Sequence, residues 1–171
     1  MSRSAHEKAV VVVGHGAPAK DTPPALVRRL RTLEAERHRS HSPMSEEEEA
    51  LDEQVRSWPR TVENDPYRVG IEGLVSRVRA LATPLRVEVA YNEFCAPSVP
   101  TCVGNLVSEG VRDIVLVATM MTPGGVHSEV EIPEIVATLG RTYPDVRIVH
   151  AWPFDLDAVA KLLLDQVGRF G

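Results

Sequence analysis

Four short apolar runs punctuate the chain: Ala9–Val13, Leu85–Tyr91, Asp113–Ala118 and Val146–His150. The first and third are continuously apolar, the pattern of strands buried on both faces of a sheet. The second alternates, with Val87, Val89 and Tyr91 on one side and Arg86 and Glu88 on the other, which suits an edge strand. Between and after these runs, apolar residues recur at helical spacing. Pro23–Arg39 carries Leu26, Leu30 and Leu33, with Thr22 as the expected N-cap and Pro23 at the first helical position. Ile71–Leu81, Ser98–Glu109, Pro133–Arg141 and Leu156–Val167 follow the same period. Strands alternating with helices predict one α/β domain, a four-stranded parallel sheet covered on both faces.

One stretch departs from this economy. From about His38 to Arg68 the chain holds Ser45-Glu46-Glu47-Glu48-Glu49 and then Trp58-Pro59-Arg60-Thr61. Ser45 followed by Glu48 reads as a capping box, so a helix over Glu46–Trp58 and an irregular loop are expected. This acidic insertion, at about 40–67, is either a lid over the sheet edge or a solvated or partner-contacting segment.

Ligands of open parallel sheets bind beyond the carboxyl ends of the strands. Those ends carry Gly14-His15-Gly16, Tyr91-Asn92-Glu93, Thr119-Met120-Met121-Thr122 and His150-Ala151-Trp152. His15 between two glycines suits a turn with close backbone approach to a ligand. His127 follows the third strand in Gly124-Gly125-Val126-His127-Ser128-Glu129-Val130-Glu131. If that segment is extended, His127, Glu129 and Glu131 share a face; if it is helical, His127 and Glu131 are neighbours one turn apart. Either places a carboxylate where it can orient the ring, raise its basicity or co-ligate a metal. Glu93, at a strand's carboxyl end, is a candidate acid/base or ligand. His15, His127, Glu93 and Glu131 are thus the expected metal site. Gly16, Asn92, Met121 and Gly125 are expected to touch the substrate. His6, His38 and His41 read as surface histidines.

Composition narrows the alternatives. The formal net charge is −5 over 171 residues, which argues against nucleic acid as a partner. No apolar run reaches the length of a membrane span and no signal-peptide h-region is visible. Cys95 and Cys102 fit no zinc or redox spacing, so a reduced, cytoplasmic setting is expected. No Gly-x-Ser-x-Gly, phosphate-loop or dinucleotide fingerprint is present, and no organic cofactor is expected.

The segments Val11-Val12-Val13-Gly14-His15-Gly16, Ala90-Tyr91-Asn92-Glu93-Phe94-Cys95-Ala96-Pro97-Ser98 and Pro123-Gly124-Gly125-Val126-His127-Ser128-Glu129-Val130-Glu131-Ile132-Pro133 carry a resemblance. With them the chain resembles the class II tetrapyrrole chelatases of the CbiX type, the sirohydrochlorin cobaltochelatases and ferrochelatases. The resemblance implies a three-layer flavodoxin-like sheet and insertion of Co2+ or Fe2+ into a sirohydrochlorin-like tetrapyrrole. It implies ligation by His15 and His127, with Glu93 assisting proton removal. Imidazole and carboxylate donors suit Ni2+ and Zn2+ as well. Glu131 stands where the family usually has aspartate, and the family's link between the first two strands is usually shorter. Single-domain members look like half of longer two-domain enzymes, which implies a homodimer. Lys20, Arg28, Arg60 and Arg68 are candidate partners for the macrocycle's carboxylates. The rivals are a non-catalytic metal or tetrapyrrole carrier on the same fold, a different α/β enzyme using His15 in hydrolysis or phosphoryl transfer, and an interaction module built on the insertion.

Overall fold

The computed structural model describes Lys8–Gly171; His6, expected at the surface, lies outside the described residues. The elements run β1 (Lys8–Gly14), α1 (Pro24–Ser40), α2 (Glu46–Arg56), α3 (Pro66–Ala82), β2 (Arg86–Tyr91), α4 (Val99–Ser108), β3 (Asp113–Ala118), α5 (Ile132–Thr142), β4 (Arg147–His150) and α6 (Leu156–Val167). The four strands form one parallel sheet in the order β2-β1-β3-β4. The continuously apolar β1 and β3 are central, and the alternating β2 is at an edge, as their patterns require. Gly14 pairs with Tyr91 and Val13 with Ala118, so the strand ends that carry the candidate chemistry stand level at one edge.

The period of two along each strand divides the core. Ala9, Val11, Val13, Ile114, Leu116 and Ala118 meet Val99, Val103 and Leu106 of α4 and Ile132 and Leu139 of α5 on one face. On the other face Val10, Val12, Val87 and Val89 meet Ile71, Val75 and Val78 of α3. A third cluster joins Leu30 of α1, Val55 of α2 and Phe94, binding the insertion to the loop after β2. No helix among the described residues is long and apolar enough to cross a membrane.

Three local expectations are corrected. Pro23, not Thr22, is the N-cap residue of α1, with Pro24 at the first helical position and no side-chain cap; the Thr22 hydroxyl is buried without a partner. The Ser45 side chain does accept from the Glu48 backbone N–H, but the Glu48 carboxylate turns to Arg37 at 2.8 Å. A buried carboxylate gains more from a guanidinium than from a backbone N–H, so the reciprocal half of the capping box is missing. Finally, α3 begins at Pro66 rather than Ile71, because Asp65 accepts from Arg68 N–H and caps it.

Candidate metal centre

His15 leaves β1 at a crowded corner. Its N–H donates to the Tyr67 hydroxyl at 2.8 Å, and its carbonyl accepts from Glu93 N–H at 2.8 Å. The β1–β2 pairing therefore continues past the strands and fixes Glu93 beside His15. Gly16 makes this possible: its φ is +95°, and a Cβ there would lie 1.8 Å from the Glu93 carbonyl oxygen. The glycine expected to touch substrate thus has a structural duty of its own, holding two candidate ligands together.

His127 arrives from the segment between β3 and α5. The segment is helical, not extended: His127–Glu131 form a π-helical turn that runs into α5, with Ile132 N–H donating to the His127 carbonyl. Such wide turns redirect side chains and recur at functional sites. Here the turn brings Glu131 Oε2 within 2.7 Å of His127 Nδ1. Glu129 is turned elsewhere, accepting from Gly124 N–H.

Three side chains converge. One ligand atom each from His15, Glu93 and His127 lies within 4.8 Å of the others. The two Nε2 atoms are 3.1 Å apart, and Glu93 Oε1 is 3.5 Å from His127 Nε2. The second nitrogens fix the tautomers. His15 Nδ1 faces the Gly16 carbonyl oxygen at 2.8 Å, which can only accept, so Nδ1 bears the proton. His127 Nδ1 lies 2.7 Å from the Glu131 carboxylate, which draws a proton to that nitrogen, and 2.8 Å from Asn92 Nδ2. The two Nε2 atoms then face one another, a contact that either a shared proton or a metal ion between them satisfies. Two nitrogens about 2.1 Å from one ion are roughly 3.0–3.4 Å apart at octahedral or tetrahedral angles, which the observed spacing fits.

Glu131 stands outside this triad, behind His127. It accepts from Asn92 Nδ2 at 2.6 Å, and its other oxygen is 3.3 Å from His38 Nε2. Burial pushes its carboxyl up, but hydrogen bonds from His127 and Asn92 and the charges of His127 and His38 hold it below its ordinary value. An ionised carboxylate there orients the ring and strengthens it as a ligand. Glu131→Ala is expected to weaken Co2+ binding 10–100-fold, as loss of such a support typically does. A titration calorimetry isotherm checks this, and unchanged affinity would remove Glu131 from the site.

Met121 is half-buried and Gly125 exposed, both in the loop leading to His127. The candidate cations do not converge on the cleft. Arg60 is buried in an ion pair with Asp65, Arg68 pairs with Glu72 on α3, and Lys20 is exposed. Instead, a cleft of about 880 Å³ is walled by Arg31, Glu34, Arg37 and His38 from α1 and by Asn92, Glu93 and Glu131. His38, read as a surface residue, is thus part of the site. Arg31, Glu34 and His38 recur at helical spacing, and that polar stripe was the available signal.

Burial, together with the charges of Glu93, Asp52 and Glu48, raises Glu34 to about 7 against the opposing pull of Arg37. Its folded-state pKa lies above its unfolded one, so the stability it contributes is present below the ordinary 4.5 and is lost as pH rises through about 7. Glu34→Gln is therefore expected to melt above the wild type at about pH 8 and to converge with it near pH 4.5. Thermal melts across that range decide, and parallel curves would contradict the assignment.

The insertion clasps the loop between β2 and α4. Arg56 donates to the carbonyls of Asn92 and Cys95, each at 2.8 Å, and pairs with Asp52. Arg60 donates to the Phe94 carbonyl at 2.6 Å and the Ala17 carbonyl at 2.8 Å. Phe94, held at φ +58°, is buried against Leu30 and Val55. The insertion thus fixes the ligand-bearing loop, and its Asp52 and Arg56 also line the cleft.

The family model described as CbiX matches residues 63–169. Among solved structures, SirB from Bacillus subtilis with Fe3+ is similar at 18% identity and a TM-score of 0.52, over 90% of this chain and 44% of that one. The sirohydrochlorin chelatase SirB from Bacillus subtilis subspecies spizizenii in complex with cobalt gives 19% identity and a TM-score of 0.44, over 86% and 43%. A protein described under cobalamin (vitamin B12) biosynthesis as CbiX, from Marinobacter aquaeolei VT8, gives 15% and 0.47, over 95% and 96%. The chain therefore spans less than half the length of the two SirB structures. No curated protein matches it in sequence.

Proposed function

Since the chain belongs to the CbiX family, we propose that it inserts a divalent metal, Co2+ or Fe2+, into a sirohydrochlorin-like tetrapyrrole, in cobalamin or siroheme biosynthesis. The observation that carries this reading is the pair of Nε2 atoms 3.1 Å apart with the Glu93 carboxylate beside them. His15 and His127 hold the incoming ion as neutral ligands. Insertion releases two pyrrole N–H protons. Glu93 accepts one at the metal, and Glu34, lining the same cleft, is a second acceptor poised near neutrality. Glu131, itself held by Asn92, keeps His127 in its ligating tautomer. Arg31, over the Phe94 ring at the cleft wall, is placed for a peripheral carboxylate of the macrocycle. The metal is a substrate, and the chemistry requires no organic cofactor. Imidazole and carboxylate donors also accept Ni2+ or Zn2+.

Two further features belong to the proposal. One is a homodimer in which a second copy faces the cleft. A cytoplasmic setting suits Cys95 and Cys102, buried and unpaired.

The test is anaerobic absorbance spectroscopy of sirohydrochlorin with Co2+ and with Fe2+. Conversion faster than the uncatalysed reaction supports a chelatase. Tight binding of metal or macrocycle without acceleration overturns it and assigns a carrier.

A further inference from the structure

Glu131 is approached at both of its oxygens. Oε2 accepts from Asn92 Nδ2 at 2.6 Å and lies 2.7 Å from His127 Nδ1. Oε1 faces His38 Nε2 at 3.3 Å. His127 and Asn92 belong to the centre already described, whereas His38 comes from the last turn of α1. A basic residue there has an ordinary explanation, because a helix C-terminus favours cations and Arg37 and Arg39 flank it. Its neighbours behave differently, however. Arg39 is exposed, and Arg37 turns to Glu48 of α2. His38 falls four residues after Glu34 and seven after Arg31, on the stripe that walls the cleft.

The helix that presents His38 is anchored. Leu30 is fully buried with Val55 of α2 and Phe94. The Arg37–Glu48 pair, with the Glu48 side chain 2% exposed, ties the C-terminal half of α1 to α2. Arg56 and Arg60, at the end of α2 and just beyond it, hold the carbonyls of Asn92, Phe94 and Cys95 around Glu93. His38 therefore reaches Glu131 from an arm that is fastened beside Glu93. Among the described residues, His38–Glu131 is the one ion pair or hydrogen bond between α1 and the segment that carries His127.

We propose that His38 is a positioning residue of the metal centre: it steadies the outer oxygen of Glu131, so that the inner oxygen stays aimed at His127 Nδ1. Through this contact the α1–α2 arm holds the His127 segment as well as the Glu93 loop. The proposal rests on the chelatase reading for the identity of the ion, but it concerns holding the ion, not transferring it. A carboxylate anchored at one oxygen pivots about it, and a second anchor fixes its plane. His38 acts through Glu131 and is not one of the three converging ligands. Loss of a group that supports a ligating histidine directly costs 10–100-fold in metal affinity. His38 stands one residue further out with its side chain 42% exposed, so a smaller loss, about fivefold, is expected.

Co2+ titrations of the full chain, read from the visible bands of the bound ion without any tetrapyrrole, test this. His38→Ala is expected to weaken binding about fivefold. His38→Gln, whose amide Nε2 donates from nearly the same reach, is expected to restore most of the loss. In a Glu131→Ala background, His38→Ala is expected to cost nothing further, because its route to the ion is gone. Thermal melts report whether each variant is folded. Unchanged affinity in His38→Ala, no recovery in His38→Gln, or an equal loss with and without Glu131 overturns the positioning role. The chelatase reading fails separately: a wild type that binds Co2+ and does not insert it loses that reading and keeps this one. A wild type that binds no Co2+ overturns both.

Discussion

His15→Ala and His127→Ala are each expected to lower metal insertion at least about 100-fold, beyond what loss of a supporting hydrogen bond costs. Either change leaves one imidazole and one carboxylate, too few donors to hold an ion against its water shell. The backbone contacts at His15 survive, because Tyr67 and Glu93 bind its N–H and carbonyl rather than its ring. Both variants are therefore expected to fold normally, and circular dichroism checks that. Initial rates of anaerobic Co2+ insertion give the measurement. Co2+ insertion retained in His127→Ala would remove His127 from the ligand set.

The largest stability effect is expected at Asp65. Its carboxylate pairs with Arg60 at 2.7 Å while its other oxygen caps α3. The two side chains are only 1% and 6% exposed. Asp65→Ala strands a buried guanidinium and uncaps a helix in one step. Breaking a buried pair this way costs about 3–5 kcal/mol. For a chain of this size the melting temperature should fall by on the order of 10 °C. Asp65→Asn keeps an oxygen for the cap and should lose less. Thermal melts of the two variants give the comparison, and a shift of a degree or two in Asp65→Ala would show that the pair contributes little. Because Arg60 also holds the Phe94 carbonyl, activity is expected to fall with stability.

The strands were legible because β1 and β3 are unbroken apolar runs and β2 alternates, and these patterns decide centre from edge. His15, Glu93 and His127 were legible for a related reason. Each follows a strand, and the carboxyl ends of parallel strands share an edge. Between the two geometries open for His127 and Glu131, the π-helical turn selects one, which a five-residue window does not encode. Glu34 and His38 reach the site from α1, far from any strand end. Only the packing of α1 over the cleft turns their polar stripe inward. Arg60 was offered as a substrate contact because it is a cation in a polar loop. Its burial against Asp65, Ala17 and Phe94 depends on three segments that meet only in the folded chain.

The clasp around Arg60 also contains a thiol. Cys95 Sγ lies 3.5 Å from Arg60 Nη1 and 3.3 Å from the Ala17 carbonyl oxygen, and burial raises its pKa. Cys102 lies on the core-facing side of α4, where burial raises it to about 11. Neither is reactive while its surroundings are closed, because thiolate is the reacting form. An alkylating reagent then becomes a stopwatch with two hands. Cys95 is labelled whenever the insertion lifts from the ligand-bearing loop, and Cys102 only when the sheet itself opens. The ratio of the two rates times the clasp independently of unfolding, with no residue changed.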